Sequence, residues 1–145
     1  MSFTQFHFHP GIQSGIRDAG YTSPSPIQQK AIPPILDGKD ILGLAQTGTG
    51  KTVAFVLPIL QRLLKTHRTA SSLSPSGLIM APTRELAEQI HESITMMAIH
   101  TPVKSVAVYG GVGKHLQIGS LKQGVDIVVA CPGRLLDLMN EKALS

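Results

Sequence analysis

The chain has a single cysteine, no tryptophan and no long uninterrupted apolar segment. One thiol, Cys131, cannot form an internal disulfide, and the six histidines have no spacing that would place a zinc site on one helix face. No basic segment followed by an apolar one opens the chain, and the longer apolar runs are interrupted by Pro58 or are only as long as a strand. We therefore expect a soluble protein of a reducing, cytoplasmic compartment that does not contact membranes.

The composition favours one compact domain. A chain of 145 residues with 42% hydrophobic content is long enough to bury a core and too short for two domains. Thirteen Lys and Arg against nine Asp and Glu leave a formal net charge of +4. That charge suits a polyanionic partner but does not require one.

Segments typical of strands and of helices alternate along the chain. The predicted strands are residues 40–45, 77–81, 103–108 and 125–130. The predicted helices are residues 10–19, 26–35, 51–65, 83–99, 113–121 and 132–140. Pro33 and Pro34 are expected to tighten or end the second helix, and residues 66–76 are expected to form a flexible connection. Strands followed by crossover helices predict an α/β fold with a parallel sheet and helices on both of its faces.

Residues 45–52, Ala-Gln-Thr-Gly-Thr-Gly-Lys-Thr, lie between a predicted strand and a predicted helix. This is the pattern and the place of a Walker A phosphate loop, with Ala45 where the first glycine usually stands. Glycines let successive backbone N–H groups converge on phosphate oxygens, Lys51 would contact the β and γ phosphates, and Thr52 would bind Mg²⁺. We therefore predict a nucleoside triphosphate and Mg²⁺ as cofactors and Lys51 as a catalytic residue. The predicted nucleotide-binding residues of the loop are Ala45, Gln46, Thr47, Gly48, Thr49, Gly50, Lys51 and Thr52.

A glycine-rich turn that only packs tightly is the alternative interpretation, and the complete Gly-Lys-Thr ending disfavours it. The loop alone does not identify the second substrate, because kinases, GTPases, transporters and helicases share it.

Four other motifs have the order found in one helicase family. Residues 20–28 are Gly-Tyr-Thr-Ser-Pro-Ser-Pro-Ile-Gln, residues 82–87 are Pro-Thr-Arg-Glu-Leu-Ala, residues 110–111 are Gly-Gly, and residues 131–134 are Cys-Pro-Gly-Arg. They resemble the Q motif, motif Ia, the Gly-Gly element and motif Ib of DEAD-box RNA helicases. The resemblance extends from Phe3 to about Met139, and residues 44–60 are similar to bacterial RhlE-type members.

The resemblance implies an adenine site. Gln28 is implied to select adenine, because its amide can both donate to and accept from the edge of that base. Tyr21 is implied to stack on the base, and Phe3 stands where the family keeps an isolated aromatic at the adenine site. Without the resemblance Phe3 would be an ordinary packing residue, which is the prediction kept for Phe6 and Phe8.

The resemblance also implies an RNA surface on the loops that follow the predicted strands. Arginine side chains and free backbone N–H or hydroxyl groups there would recognise the phosphate backbone rather than a base sequence. The implied RNA-binding residues are Pro82, Thr83, Arg84, Gly110, Gly111, Gly133 and Arg134. The alternative is that Thr83 only caps a helix and that Arg84 lies on its solvated face. Cys131 departs from the family, which usually has Thr there, and its thiol is expected to make at most a weakened contact.

The resemblance divides the chain into a Q-motif region, residues 1–29, and the N-terminal part of a RecA-like helicase ATP-binding domain, residues 30–145. In the family an Asp-Glu-Ala-Asp motif, a Ser-Ala-Thr motif and a second RecA-like domain follow, and none of them is in this sequence. We expect the full-length protein to be an ATP-dependent RNA helicase that unwinds short duplexes. The 145-residue chain alone is expected to bind nucleotide without hydrolysing it. Strand edges left open would favour self-association.

Two other functions remain open at this point. A P-loop kinase or another ATPase would explain the phosphate loop and leave Gln28, Arg84 and Arg134 as coincidences. A naturally truncated, non-catalytic module that binds nucleotide or RNA would explain the motifs without turnover, and the reading frame beyond Ser145 would decide. Ribosome assembly and RNA decay are both open as settings for protein partners.

Overall fold

The computed structural model describes residues 2–46, 48, 50–66 and 74–144. The chain divides into two compact units, which are described separately below. The first comprises Met1–His67 and Met96–Pro102, and the second comprises Arg68–Thr95 and Val103–Ser145. Most of the predicted connection, residues 67–73, lies outside the described residues.

The first unit is helical. A short 3₁₀-helix, Phe3–Phe6, precedes α1 (Pro10–Asp18), α2 (Pro26–Leu36) and α3 (Lys51–Lys65). Proline occupies the first turn of α1 and α2, where its missing N–H removes no helical hydrogen bond. Helix α2 ends two residues after Pro34, as the two adjacent prolines predict.

Close packing holds the helices of the first unit together. Ile12, Ile32 and Leu57 are fully buried, and burial of such side chains stabilises a fold by about 1.5–3 kcal/mol each. A Cβ added to Gly15 in α1 would lie 2.4 Å from the carbonyl oxygen of Met97, so no other residue fits there without movement of the backbone. The first unit therefore has its own core, and that core supports the start of α3.

The second unit is an α/β structure. Its elements are β1 (Gly77–Met80), α4 (Arg84–Met97), β2 (Ser105–Val108), α5 (His115–Lys122), β3 (Ile127–Ala130) and α6 (Pro132–Asn140). The strands form a parallel sheet in the order β1-β3-β2, in which Gly77 and Ser105 both pair with Ile127. The central strand, β3, is buried along its whole length. The predicted α/β class and the parallel sheet are confirmed.

The predicted strand at residues 40–45 is absent. Residues 39–46 have no regular secondary structure, and Ile41, Leu42 and Leu44 are 41%, 87% and 84% exposed. A strand needs a hydrogen-bonded neighbour, and the three described strands pair only with one another. The prediction was wrong because an apolar pattern does not supply the partner strand that a sheet requires.

Within the described residues, no helix is both long enough and apolar enough to span a lipid bilayer.

Candidate nucleotide and RNA sites

The phosphate loop leads directly into α3, which begins at Lys51. Gly48 and Gly50 have φ angles of +84° and +89°, values that L side chains rarely adopt. The Nζ of Lys51 donates to the carbonyl oxygen of Ala45 at 2.6 Å and so closes the loop on itself. Thr47 and Thr49, two of the predicted nucleotide-binding residues, lie outside the described residues.

The loop fits a phosphate ligand. The residue before α3 is Gly50, which has no side chain to occupy the first N–H groups of the helix. Those N–H groups and the helix dipole form an anion site, to which Lys51 adds a positive charge. Thr52 is the second residue of α3, at the place where its hydroxyl can serve a phosphate-bound cation. The described residues hold no group of three or more His, Cys, Asp or Glu able to bind a metal.

Gln28 is buried, with 2% of its surface exposed, and it joins the Q motif to the phosphate loop. Its Oε1 accepts from the backbone N–H of Ser25 at 2.9 Å, and its Nε2 donates to the carbonyl oxygen of Gly50 at 3.2 Å. The first bond is half of a capping box, since the Ser25 hydroxyl also accepts from the Gln28 N–H. Two predicted site residues 22 positions apart, Gln28 and Gly50, are thus in direct contact.

Phe3 and Tyr21 meet in a cleft of about 470 Å³. Their ring centroids are 6.4 Å apart, with the rings nearly perpendicular. Phe3 is 3% exposed and Tyr21 is 41% exposed, so Tyr21 offers more ring surface to a ligand. Gln28 does not line this cleft. The structure therefore places Phe3 beside Tyr21 and places Gln28 beside the phosphate loop. The sequence predicted one adenine site containing all three residues, and that shared site stays a prediction.

The predicted RNA residues lie in the second unit, after the carboxyl ends of its strands. Thr83 caps α4, because its hydroxyl accepts from the N–H of Leu86 at 3.2 Å. The guanidinium of Arg84 lies 5.0 Å from the ring centroid of Tyr109, a cation–π contact. A Cβ added to Gly111 would lie 3.8 Å from Arg84 Nη1, so these two predicted residues are neighbours.

The glycines of this surface leave backbone groups accessible. Gly110 and Gly133 are exposed, and a Cβ added at either would meet no atom within 4 Å. Gly111 has a φ of +83°, a conformation that favours glycine. Gly133 lies in the first turn of α6, where N–H groups face outward. Pro82 is exposed as well.

Arg134 is held within the protein. Its side chain is 12% exposed, and its Nε lies 3.8 Å from Asp137 Oδ2. Its Nη1 donates to Gln117 Oε1 and its Nη2 to the carbonyl oxygen of Val112, both at 3.0 Å. The assignment of Arg134 to a phosphate stays a prediction, and its visible role is to tie α6 to the loop after β2.

Sequence reasoning missed three residues beside these loops. Tyr109 donates to Glu88 Oε1 at 2.5 Å, and this hydrogen bond is the main cause that raises the pKa of the Tyr109 phenol. Hydrogen bonds to Glu141 and Asp137 raise the pKa of Lys114. Gln117 is 7% exposed and donates to the carbonyl oxygen of Tyr109. Proximity of Tyr109 to the Gly-Gly pair was the only signal in the sequence, because the other contacts join separate elements.

Comparison with known proteins decides the family. The family model of the DEAD/DEAH box helicases matches residues 25–145. The chain belongs to this family. The parallel sheet and its helices are consistent with the RecA-like α/β domain of a DEAD-box helicase.

Several curated DEAD-box relatives align with nearly the whole chain. DEAD-box ATP-dependent RNA helicase RhpA of Helicobacter pylori (strain B128) is 44% identical over 142 residues, 97% of this chain and 28% of RhpA. ATP-dependent RNA helicase RhlB of Xanthomonas oryzae pv. oryzae (strain KACC10331 / KXO85) is 42% identical over 97% of this chain and 25% of RhlB. Probable ATP-dependent RNA helicase ddx17 of Dictyostelium discoideum is 44% identical over 96% of this chain and 18% of that relative. The chain thus spans less than a third of these relatives, and the narrower RhlE-type assignment stays a prediction.

Cys131 is the N-cap of α6 and makes no side-chain cap hydrogen bond. Because threonine is a better N-cap residue than cysteine, Cys131→Thr is expected to stabilise the chain by about 1 kcal/mol through a hydroxyl cap. Thermal or urea unfolding measures the gain. Cys131→Val is the matched control, since valine has the shape of threonine without the hydroxyl, and equal stability of the two variants would contradict the capping role.

Proposed function

We propose that this chain is the ATP- and RNA-binding part of an ATP-dependent DEAD-box RNA helicase whose full-length form unwinds short RNA duplexes. The observation that carries the nucleotide half is the bond from Gln28 to Gly50, which couples the Q motif to the phosphate loop inside one unit. Relatives named as ATP-dependent RNA helicases support the RNA half. Family membership favours this proposal over a kinase or an unrelated ATPase.

Each nucleotide-site residue has a proposed role. Lys51 exchanges its bond to Ala45 for the phosphates, and the N–H groups at the start of α3 bind the same oxygens. A bound Mg²⁺ would neutralise phosphate charge, with Thr52 among its ligands. Gln28 binds adenine through its second Nε2–H and the second lone pair of its Oε1, which the bonds to Gly50 and Ser25 do not use. Tyr21 stacks on the base and Phe3 supports it.

The proposed RNA site uses groups that contact a phosphate backbone. Arg84 provides the charge, and the exposed backbone at Gly110, Gly111 and Gly133 provides N–H donors. Thr83 contributes a hydroxyl that also caps α4. None of these groups selects a base, so no sequence preference is expected.

The chain alone is proposed to bind nucleotide without turnover, because phosphoryl transfer also needs a metal-holding acidic residue and a positioned water. The sequence contains no Asp-Glu-Ala-Asp motif to supply them. The exposed apolar segment around Leu42 and Leu44 supports the prediction that the isolated chain self-associates. A non-catalytic module remains the second candidate for the chain by itself. A cytoplasmic setting and protein partners in ribosome assembly or RNA decay also remain proposals.

Arg84→Ala in the full-length protein tests the RNA site. It is expected to weaken binding to all single-stranded RNA sequences alike and to lower the salt slope of log K by about 0.7, the value for one lost phosphate contact. Fluorescence anisotropy over a series of salt concentrations measures both quantities. Arg84→Lys keeps the charge and loses the guanidinium that lies over the Tyr109 ring, so it separates the two contributions.

Arg62→Ala is the matched control, because Arg62 is an exposed arginine of α3 outside the proposed RNA site. It removes the same charge, and its salt slope should equal that of the unmutated protein. An unchanged slope and affinity in Arg84→Ala would overturn the phosphate contact, and loss of binding to one sequence only would indicate base readout.

A further inference from the structure

Gln117 is one of two buried polar side chains in the described residues, the other being Gln28. It lies in α5 with 7% of its surface exposed, and both polar atoms of its amide are bonded within the protein. Its Nε2 donates to the carbonyl oxygen of Tyr109 at 3.1 Å. Its Oε1 accepts from Arg134 Nη1 at 3.0 Å. One amide thus joins the end of β2 to α6.

The loop between β2 and α5, residues 109–114, is called the GG loop here. Besides the bond from the Tyr109 phenol to Glu88, the described residues hold it at three points. Gln117 binds the carbonyl oxygen of its first residue, and Arg134 Nη2 binds that of Val112 at 3.0 Å. Lys114 Nζ lies 2.9 Å from Asp137 and 2.6 Å from Glu141. All partners of the second and third points belong to α6 or directly follow it.

The part of the GG loop between these points carries the predicted phosphate-binding backbone. Gly110 and Gly111 are exposed, and two adjacent glycines have more conformational freedom than any other pair of residues. An unfastened loop would lose that freedom when it binds RNA, at a cost in affinity. Contacts that already hold the loop in place before RNA binds would remove much of this cost in affinity.

We propose that Gln117 is a positioning residue for RNA binding, which acts by fixing the GG loop to Arg134 and α6 without touching RNA. This inference rests on the proposed RNA site. The Gln117–Arg134 bond and the Arg134–Val112 bond are linked, because one planar guanidinium makes both. Loss of the Gln117 amide would leave the carbonyl of Tyr109 and one Arg134 nitrogen without their partner, and would weaken the hold on the loop at Tyr109 and, through Arg134, at Val112.

The test compares two Gln117 variants of the full-length protein. Gln117→Leu removes both bonds and is expected to weaken single-stranded RNA binding about tenfold. Its salt slope should stay unchanged, because no phosphate contact is removed. Gln117→Glu keeps an acceptor for Arg134 but loses the donor to Tyr109, so its RNA affinity should lie between those of Gln117→Leu and the unmutated protein.

Hydrogen exchange without RNA tests the fastening independently of function. The amides of residues 110–113 are expected to exchange faster in Gln117→Leu. Leu121→Ala is the control for a merely structural role, since Leu121 is a fully buried apolar residue of the same helix and its side chain has no hydrogen-bonding group. It should lower the melting temperature but leave loop exchange and RNA affinity near those of the unmutated protein.

The outcomes separate the two proposals. If the unmutated full-length protein does not bind RNA, the proposed function fails, whatever the exchange rates show. If it binds RNA and Gln117→Leu is folded with unchanged affinity, the inference about Gln117 is overturned. Unchanged exchange at residues 110–113 would overturn it as well. A reduced salt slope in Gln117→Leu would mean direct phosphate contact and would also contradict it. Should Gln117→Leu fail to fold, the same criteria apply to Gln117→Glu.

Discussion

Replacement of Lys51 by alanine in the full-length protein is expected to abolish ATP-dependent unwinding while the fold remains intact. Lys51 is exposed and its Nζ bonds only the carbonyl oxygen of Ala45 among the described contacts, so the folded chain loses little with it. The nucleotide complex instead loses a charge-assisted contact to the phosphates, at the place where charge is redistributed during transfer. Unwinding of a short duplex should fall by at least about a hundredfold, the scale of losing one such stabilising group.

Lys65→Ala is the matched control, because Lys65 is an exposed lysine in the last turn of the same helix. Its unwinding rate and its circular dichroism spectrum should equal those of the unmutated protein. Full unwinding activity in Lys51→Ala would refute the role given to Lys51. RNA-stimulated phosphate release by the purified 145-residue chain, lost again in Lys51→Ala, would refute the proposal that the chain alone does not hydrolyse ATP.

The second large effect is expected at Gln28. Gln28→Ala removes the bonds to Ser25 and Gly50 together with the proposed contact to adenine. Loss of one desolvated hydrogen-bonded pair costs about 1–3 kcal/mol, so the preference for ATP over GTP should fall by about five- to 150-fold. Competition of ATP and GTP for a labelled adenine nucleotide measures it on the full-length protein.

Ser25→Ala separates base selection from helix capping. It removes the hydroxyl that accepts from the Gln28 N–H at 3.4 Å and leaves the Gln28 amide in place. We expect it to cost about 1 kcal/mol of stability without changing the ratio of ATP to GTP affinity. Equal binding of ATP and GTP by the unmutated protein would disprove the adenine assignment, and the same loss of preference in Ser25→Ala would assign Gln28 to capping alone.

Local signals in the sequence were sufficient for the helices. The start of α3 at Lys51 follows from glycine, lysine and threonine in a row, and its end at Lys65 follows from the loss of apolar periodicity. Prolines in the first turn mark α1, α2 and α6 in the same way. These signals work because capping and side-chain periodicity act between residues only a few positions apart.

The missing strand at residues 40–45 shows where local signals end. Its apolar residues have the pattern of a buried strand, yet Leu42 and Leu44 are almost fully exposed. A helix satisfies its backbone within its own segment, and a strand needs hydrogen bonds from another part of the chain. The residue types at 40–45 therefore predicted a strand. Whether a strand forms there depends on a hydrogen-bonded partner strand, which the local sequence does not specify.

The chemistry of the two sites divides in the same way. The sequence by itself determined which groups are present: a lysine and glycines for phosphates, an amide for a base, and glycines and arginines after the strands. Tertiary structure alone decided that the Gln28 amide bonds Gly50, that Arg84 stacks on Tyr109, and that Arg134 turns inward to Gln117. These contacts join residues 17 to 25 positions apart, and no periodicity or capping rule reaches across the intervening elements. Residue type sets what a side chain can donate or accept, and packing sets which partner it meets.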